Sequence, residues 1–162
     1  ARGLAVDETG DAVSPDAAKL VLGGTMKALS VRWPYAGLLM WGLKQFETRD
    51  WPTKYRGKLA IHCSKVYDHV DRRMADELAR EWPEIRARLQ ATRAIPLGCV
   101  LGIVELKEIY RTHEIAPRLT ALERAVGNYQ PGRAAWHVKV LDVFPQPVPA
   151  VGKLGLWDWT AA

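Results

Sequence analysis

Cysteine is scarce: Cys63 and Cys99 are the two in a chain of 162 residues, and their separation is not a metal-ligand spacing. They make no disulfide framework, and both thiols are expected to lie buried in a reducing cytoplasm. No apolar run approaches the roughly 18 residues of a membrane-crossing helix, so no membrane partner is expected. The first residues lack the basic, apolar and small-residue order of a secretory signal. A phosphate-cradling glycine loop, a Cys-x-x-Cys pair and a His-Glu-x-x-His are all missing. Nucleotide triphosphatase, zinc-finger and zinc-protease readings therefore have no support, and neither a metal nor an organic cofactor is expected. His69, His113 and His137 show no ligand spacing. His62, at a strand end, reads as a hydrogen-bonded structural residue before it reads as an acid or base. No internal repeat or low-complexity segment is visible.

What remains is one domain's worth of ordinary globular composition with a basic surplus. The length suits a single core, and the formal net charge is +5. Residues 1–25 hold Arg2 and Lys19 against Asp7, Glu8, Asp11 and Asp16. They have no aromatic residue and no clear period, and read as a flexible extension or a non-native cloning remnant before a domain at 26–162. That domain has 21 basic and 14 acidic residues, a surplus that favours an anionic partner such as nucleic acid.

The pattern predicts an α+β domain. Lys27 to Val31 alternates as a first strand, and Tyr35 to Trp41 makes a short apolar helix that Gly42 stops. Lys58 to Cys63 is the next strand. Asp68 to Ala91 is helical, with Met74, Leu78, Trp82, Ile85 and Leu89 forming one stripe and Pro83 dividing or kinking it. Its arginines alternate with carboxylates and read as a solvated face. Leu97 to Leu106 is a buried strand bent at its glycines. Thr120 to Val126 is a short helix, and Ala134 to Phe144 is a long strand. Pro145 to Pro149 should break the pairing before Leu154 to Trp159 closes the sheet. Short β-runs bent by glycine suggest a small mixed β-barrel with flanking helices.

Its most informative stretch is Gly42-Leu43-Lys44-Gln45-Phe46-Glu47-Thr48-Arg49. Run as a strand, Gln45, Glu47, Arg49 and Trp51 share one face and Phe46 and Thr48 the other. Lys44, at the turn, can fold over the charged face. A surface ion pair would explain this motif alone. Its neighbours argue for more: Arg32-Trp33-Pro34-Tyr35 precedes it, and a basic, aromatic loop from Trp51 to Gly57 follows.

This order resembles the ASCH domain family, whose signature Gly-x-Lys-x-x-Glu-x-Arg is complete in Gly42, Lys44, Glu47 and Arg49. The resemblance extends through Ile61-His62-Cys63-Ser64-Lys65, Pro131-Gly132-Arg133-Ala134-Ala135-Trp136 and Gly155-Leu156-Trp157-Asp158-Trp159, covering about residues 26–160. It implies a PUA-like barrel and a cleft for RNA or a modified nucleotide, with single-stranded DNA as an alternative. Arg32, Trp33, Tyr35, Lys44, Glu47, Arg49, Trp51, Tyr55, Ser64, Lys65 and Arg133 would line that cleft, with Trp136 as a wall. Lys54, Arg56, Lys58 and Lys65 would follow the flanking backbone. The alternative is a small hydrolase, a ribonuclease or acylated-nucleoside amidohydrolase, with Lys44 and Glu47 catalytic. The amidohydrolase branch carries a threonine nucleophile where Glu47 stands here, and Thr48 should face away. That departure disfavours an acyl-enzyme and leaves a direct-water mechanism with Glu47 as general base. Ser64 and Lys65 lack a visible oxyanion hole.

Overall fold

The computed structural model describes residues 24–161; the expected 1–25 extension lies almost wholly outside them. The elements are β1 (Thr25–Val31), α1 (Tyr35–Met40), β2 (Phe46–Arg49), β3 (Gly57–Cys63), α2 (His69–Glu81), α3 (Pro83–Ala91), β4 (Cys99–Arg111), α4 (Thr112–Ile115), α5 (Ala121–Ala125), β5 (Ala134–Pro149) and β6 (Leu156–Thr160). They form one six-stranded sheet in the order β2-β5-β4-β3-β1-β6. Only β1 and β3 pair in parallel, because α1 and β2 supply the crossover that a parallel pair needs.

The sheet curls into a half-barrel. In a flat sheet β2 and β1 would stand four strand spacings apart, roughly 19 Å, beyond the reach of a side chain. Yet Arg49 on β2 donates to the Ser30 carbonyl on β1 at 2.6 Å. Register shifts in β4 opposite both β3 and β5 provide the bends. Gly102 sits at this crowded point: a Cβ there would stand 2.2 Å from the Asp142 carbonyl oxygen and 2.6 Å from the Met40 methyl. The short helix α1 fills the concave side, burying Ala36, Leu39 and Met40 against Leu59, Ile61, Val104 and Trp136. A second core on the other face joins Met26, Ala60, Ile103, Trp157 and Trp159. Leu38, Leu78, Ile85 and Val126 bind α2, α3 and the segment after α5 to α1.

Three expectations need correction. Pro145–Pro149 does not end β5: pairing with β4 lapses from Phe144 to Pro147 at a register shift and resumes with Val148 opposite Val100 and Pro149 opposite Cys99. Beyond Val138 no strand flanks the other edge of β5, so a proline lacking an N–H can be accommodated there. Met74 is exposed, and α2 instead buries Asp71, Ala75 and Leu78. The strands are also longer than the short runs anticipated. The division at Pro83 holds: Trp82 is extended and α3 starts with the proline in its first turn. No helix of the described residues is long and apolar enough to cross a membrane. Burial pushes the Cys63 thiol up to about 12, and Cys99 lies directly opposite it with both cysteines free.

Candidate functional site

The chain enters the charged stretch through a well-formed helix stop. Gly42 adopts φ +72°, its amide donates to Leu39, and the Leu43 amide donates to Leu38. That pair of bonds is a Schellman motif, which needs a left-handed residue and therefore favours glycine. Leu43 packs back against the Leu38 cluster, completing the motif's usual hydrophobic contact. The reversal delivers Lys44 under the sheet and starts β2 at Phe46. Glu47 and Arg49 then fall on the inner side, with Arg49 Nε 3.8 Å from Glu47 Oε1. Phe46 and Thr48 fall on the outer side, where Phe46 stacks on His137 and the Thr48 hydroxyl accepts from the Asn128 amide.

Lys44 is almost wholly buried and reaches only the wall of a hollow that it shares with Gln45, Lys107, His137 and Lys139. It is 2% exposed, donates to the Val126 carbonyl at 2.6 Å, and sits 5.6 Å from the Tyr35 ring centre. Burial lowers its pKa, opposed by the nearby Glu47 and Glu123 carboxylates. Glu123 itself accepts from the amides of Gln45 and Phe46. It thereby caps the edge of β2 that no strand covers.

Around this anchored lysine the polar groups are incompletely satisfied. Glu47 Oε2, Arg49 Nε and the Tyr129 hydroxyl are buried without a hydrogen-bond partner. Burial raises the Tyr129 pKa, and both Glu123 and Glu47 raise it further. Tyr129 is thus close to both carboxylates, with Glu123 the nearer influence on a hydroxyl that has no well-formed hydrogen bond. Tyr35 also feels Glu47, with burial the larger cause of its raised pKa. The side chains of Glu47 and Arg49 are 11% and 24% exposed, so the cluster opens outward at Arg49. Buried polar atoms are nearly always paired, and three orphans in one cluster call for an explanation such as a bound group.

The remaining predicted residues divide. Tyr35 and Trp51 are half-buried beside the core, and Trp51 packs edge-on against Trp136 at 4.8 Å. Trp33 is a core residue, 3% exposed and packed on Trp41, and Trp136 is fully buried, so neither is a free stacking surface. Arg32 is pinned by Asp68 at 2.9 Å and Asp71 at 2.6 Å, the reciprocal capping pair at the start of α2. Arg133 donates to the carbonyls of Asn128 and Thr48, tying the segment before β5 to β2. Arg56 pairs with Glu108 and with its own loop's carbonyls. Tyr55, Lys58 and Lys27 line a separate cleft. Lys65 is exposed, and the Ser64 hydroxyl accepts from the Val66 amide. His62 bonds Ser30 Oγ and the Ala150 carbonyl, both at 2.9 Å. It is a structural residue, as its sequence position suggested.

Tyr129 and Glu123 were missed in the sequence. Thr120-x-x-Glu123 carries a capping-box spacing, and Thr120 does cap α5, but Glu123 turns to β2 instead. Tyr129 lies in a loop with no periodic signal. Among the described residues no group of three or more His, Cys, Asp or Glu side chains could hold a metal ion.

A curled sheet plugged by a short helix, with Gly-x-Lys-x-x-Glu-x-Arg entering its edge strand, defines an α+β domain of PUA-like type. The chain belongs to the ASCH domain family: the family model matches residues 29–147. It is also similar to human activating signal cointegrator 1, with 34% identity over 79 residues. That match covers 48% of this chain and spans 13% of the human protein's length.

Proposed function

We propose that this domain binds RNA by seating one exposed or modified nucleobase against Glu47, Arg49 and Tyr129. The observation that carries this reading is the trio of buried polar atoms without partners. Glu47 Oε2 can only accept, Arg49 Nε can only donate, and the Tyr129 hydroxyl can do either. A base edge with adjacent N–H and carbonyl groups satisfies such a set, and the half-buried rings of Tyr35 or Trp51 offer a stacking face. Lys44 fixes the floor by its bond to Val126, and burial lowers its pKa against the opposing pull of the Glu47 carboxylate. The basic surplus of the chain supplies attraction for flanking phosphates. Two free, facing cysteines suit a reducing compartment such as the cytoplasm. The hydrolase alternative would use the same free Glu47 oxygen as a base. It is disfavoured because Lys44, the expected anion-stabilising partner, is buried and engaged by a backbone carbonyl.

Fluorescence anisotropy with labelled single-stranded RNA tests the reading. Binding should be measurable at low salt, weaken steeply with added salt, and drop about tenfold in Glu47→Gln, a loss of ~1.4 kcal/mol. An absence of binding at low salt, or identical affinity in the variant, would overturn it.

A further inference from the structure

The outer face of β2 carries a second set of groups that the Glu47 cluster does not use. Phe46 stacks on His137 with ring centres 4.9 Å apart and planes 23° apart. The same ring meets Tyr110 edge-on at 6.3 Å. These rings come from β2, β5 and β4, and they can touch because the residue between them is small. Ala135 lies opposite both Thr48 and Tyr110, leaving the space above it to its neighbours' rings. All three rings are partly exposed. Burial and Lys107 lower the pKa of His137, against an opposing pull from Glu123.

Basic clefts flank the rings on both sides. His137 lines a hollow of about 310 Å³ together with Lys107 and Lys139, and the buried Lys44 reaches its wall. Tyr110 lines another of about 240 Å³ with Arg111 and Arg133. The acids here are Glu105 opposite Lys139, Glu108 opposite His137, Asp50 in the cleft beside Tyr110, and Glu123, whose carboxylate acts on His137. Glu108 is already neutralised by Arg56 at 2.7 Å. Lys107, Lys139 and Arg111 are exposed.

We infer that this outer face is a second, sequence-independent contact surface for single-stranded nucleic acid, with bases stacking on the Phe46–His137–Tyr110 rings and phosphates running along Lys107, Lys139 and Arg111. The inference rests on the nucleic-acid reading above, but it concerns the opposite face of β2 and a different chemistry. Stacking on flat rings tolerates any base, whereas the Glu47 cluster selects one. The face suits an extended single strand rather than a duplex, because rings can stack only on bases that are splayed out.

The test compares a 4-nucleotide and a 12-nucleotide single-stranded RNA on the full chain. The double variant Lys107→Glu/Lys139→Glu should bind the 12-mer at least tenfold more weakly, with a salt dependence shallower by about two phosphate contacts. Its 4-mer affinity should stay within twofold of wild type. Tyr110→Leu should weaken the 12-mer about fivefold without changing the salt slope, and Glu47→Gln should weaken both lengths. If the wild-type protein binds neither RNA, the primary reading fails. If it binds both and the charge-reversed variant binds the 12-mer equally well, the outer surface alone is refuted. Circular dichroism and urea midpoints matching wild type exclude misfolding as the cause of a loss.

Discussion

Two polar clusters lie under this sheet, and they are finished differently. Around His62 both ring nitrogens are bonded, one to Ser30 Oγ and one to the Ala150 carbonyl. The Trp157 indole also donates to Ser30, at 3.3 Å. Around Glu47, three buried atoms lack a well-formed hydrogen bond, Arg49 Nε having only the Glu47 carboxylate at 3.8 Å. A satisfied buried network holds elements in register, whereas an unsatisfied one carries a desolvation cost that only a guest or water can relieve. Satisfaction, rather than burial or charge, separates the structural cluster from the candidate binding cluster.

The sharpest way to break that contrast is at His62. His62→Ala should cost about 3 kcal/mol of stability, from a cavity plus the orphaned Ser30 hydroxyl and Ala150 carbonyl. RNA affinity should be unchanged in the fraction that remains folded. Urea denaturation and anisotropy read these separately, and a binding loss without a stability loss would invert the assignment. The reverse pattern is expected at Glu47→Gln: about tenfold weaker RNA binding with a stability change below about 1 kcal/mol, since an amide relieves the buried charge. Tyr129→Phe should have a smaller effect. Its hydroxyl has no well-formed hydrogen bond to lose, so stability should stay level or rise by about 1 kcal/mol while affinity drops about fivefold. A clear destabilisation would mean that the hydroxyl is bonded within the protein after all.

How much of this was readable beforehand depended on whether a feature is local. The Gly42 stop and the Pro83 division follow from backbone rules that act within one turn, and both stand in the structure. The Gly-x-Lys-x-x-Glu-x-Arg spacing correctly placed Glu47 and Arg49 together. It did not show how deeply Lys44 is buried, because its partner, the Val126 carbonyl, lies 82 residues away. Tyr129 and Glu123 were invisible for the same reason: they reach β2 from a distant excursion. The proline run was half readable: pairing lapses at Pro145 but resumes by Pro149, because a proline's tolerance depends on which edge of the strand is open, and that is a property of the sheet. The apolar stripe of α2 slipped off Met74 because Asp71, bound to Arg32, takes a buried position that hydropathy would assign to a hydrophobe.

The subtlest difference between the clusters is electrostatic and concerns Lys44. Its pKa is held below the ordinary 10.5, chiefly by burial. Between the lowered folded value and the unfolded one, the unfolded chain therefore carries more protons at this site than the folded chain. Stability must rise with pH across that window, and this contribution is lost as pH falls toward the folded value. Lys44→Met removes the titrating group while roughly preserving its volume. The tyrosines whose pKa values are raised, Tyr35 and Tyr129, remain in both proteins and cancel to first order in the difference. In urea titrations carried up to the ordinary lysine value of 10.5, wild type should gain stability relative to Lys44→Met as pH increases. Parallel curves would mean that the ammonium is no more desolvated than in the unfolded chain, and the buried floor beneath Glu47 would lose its basis.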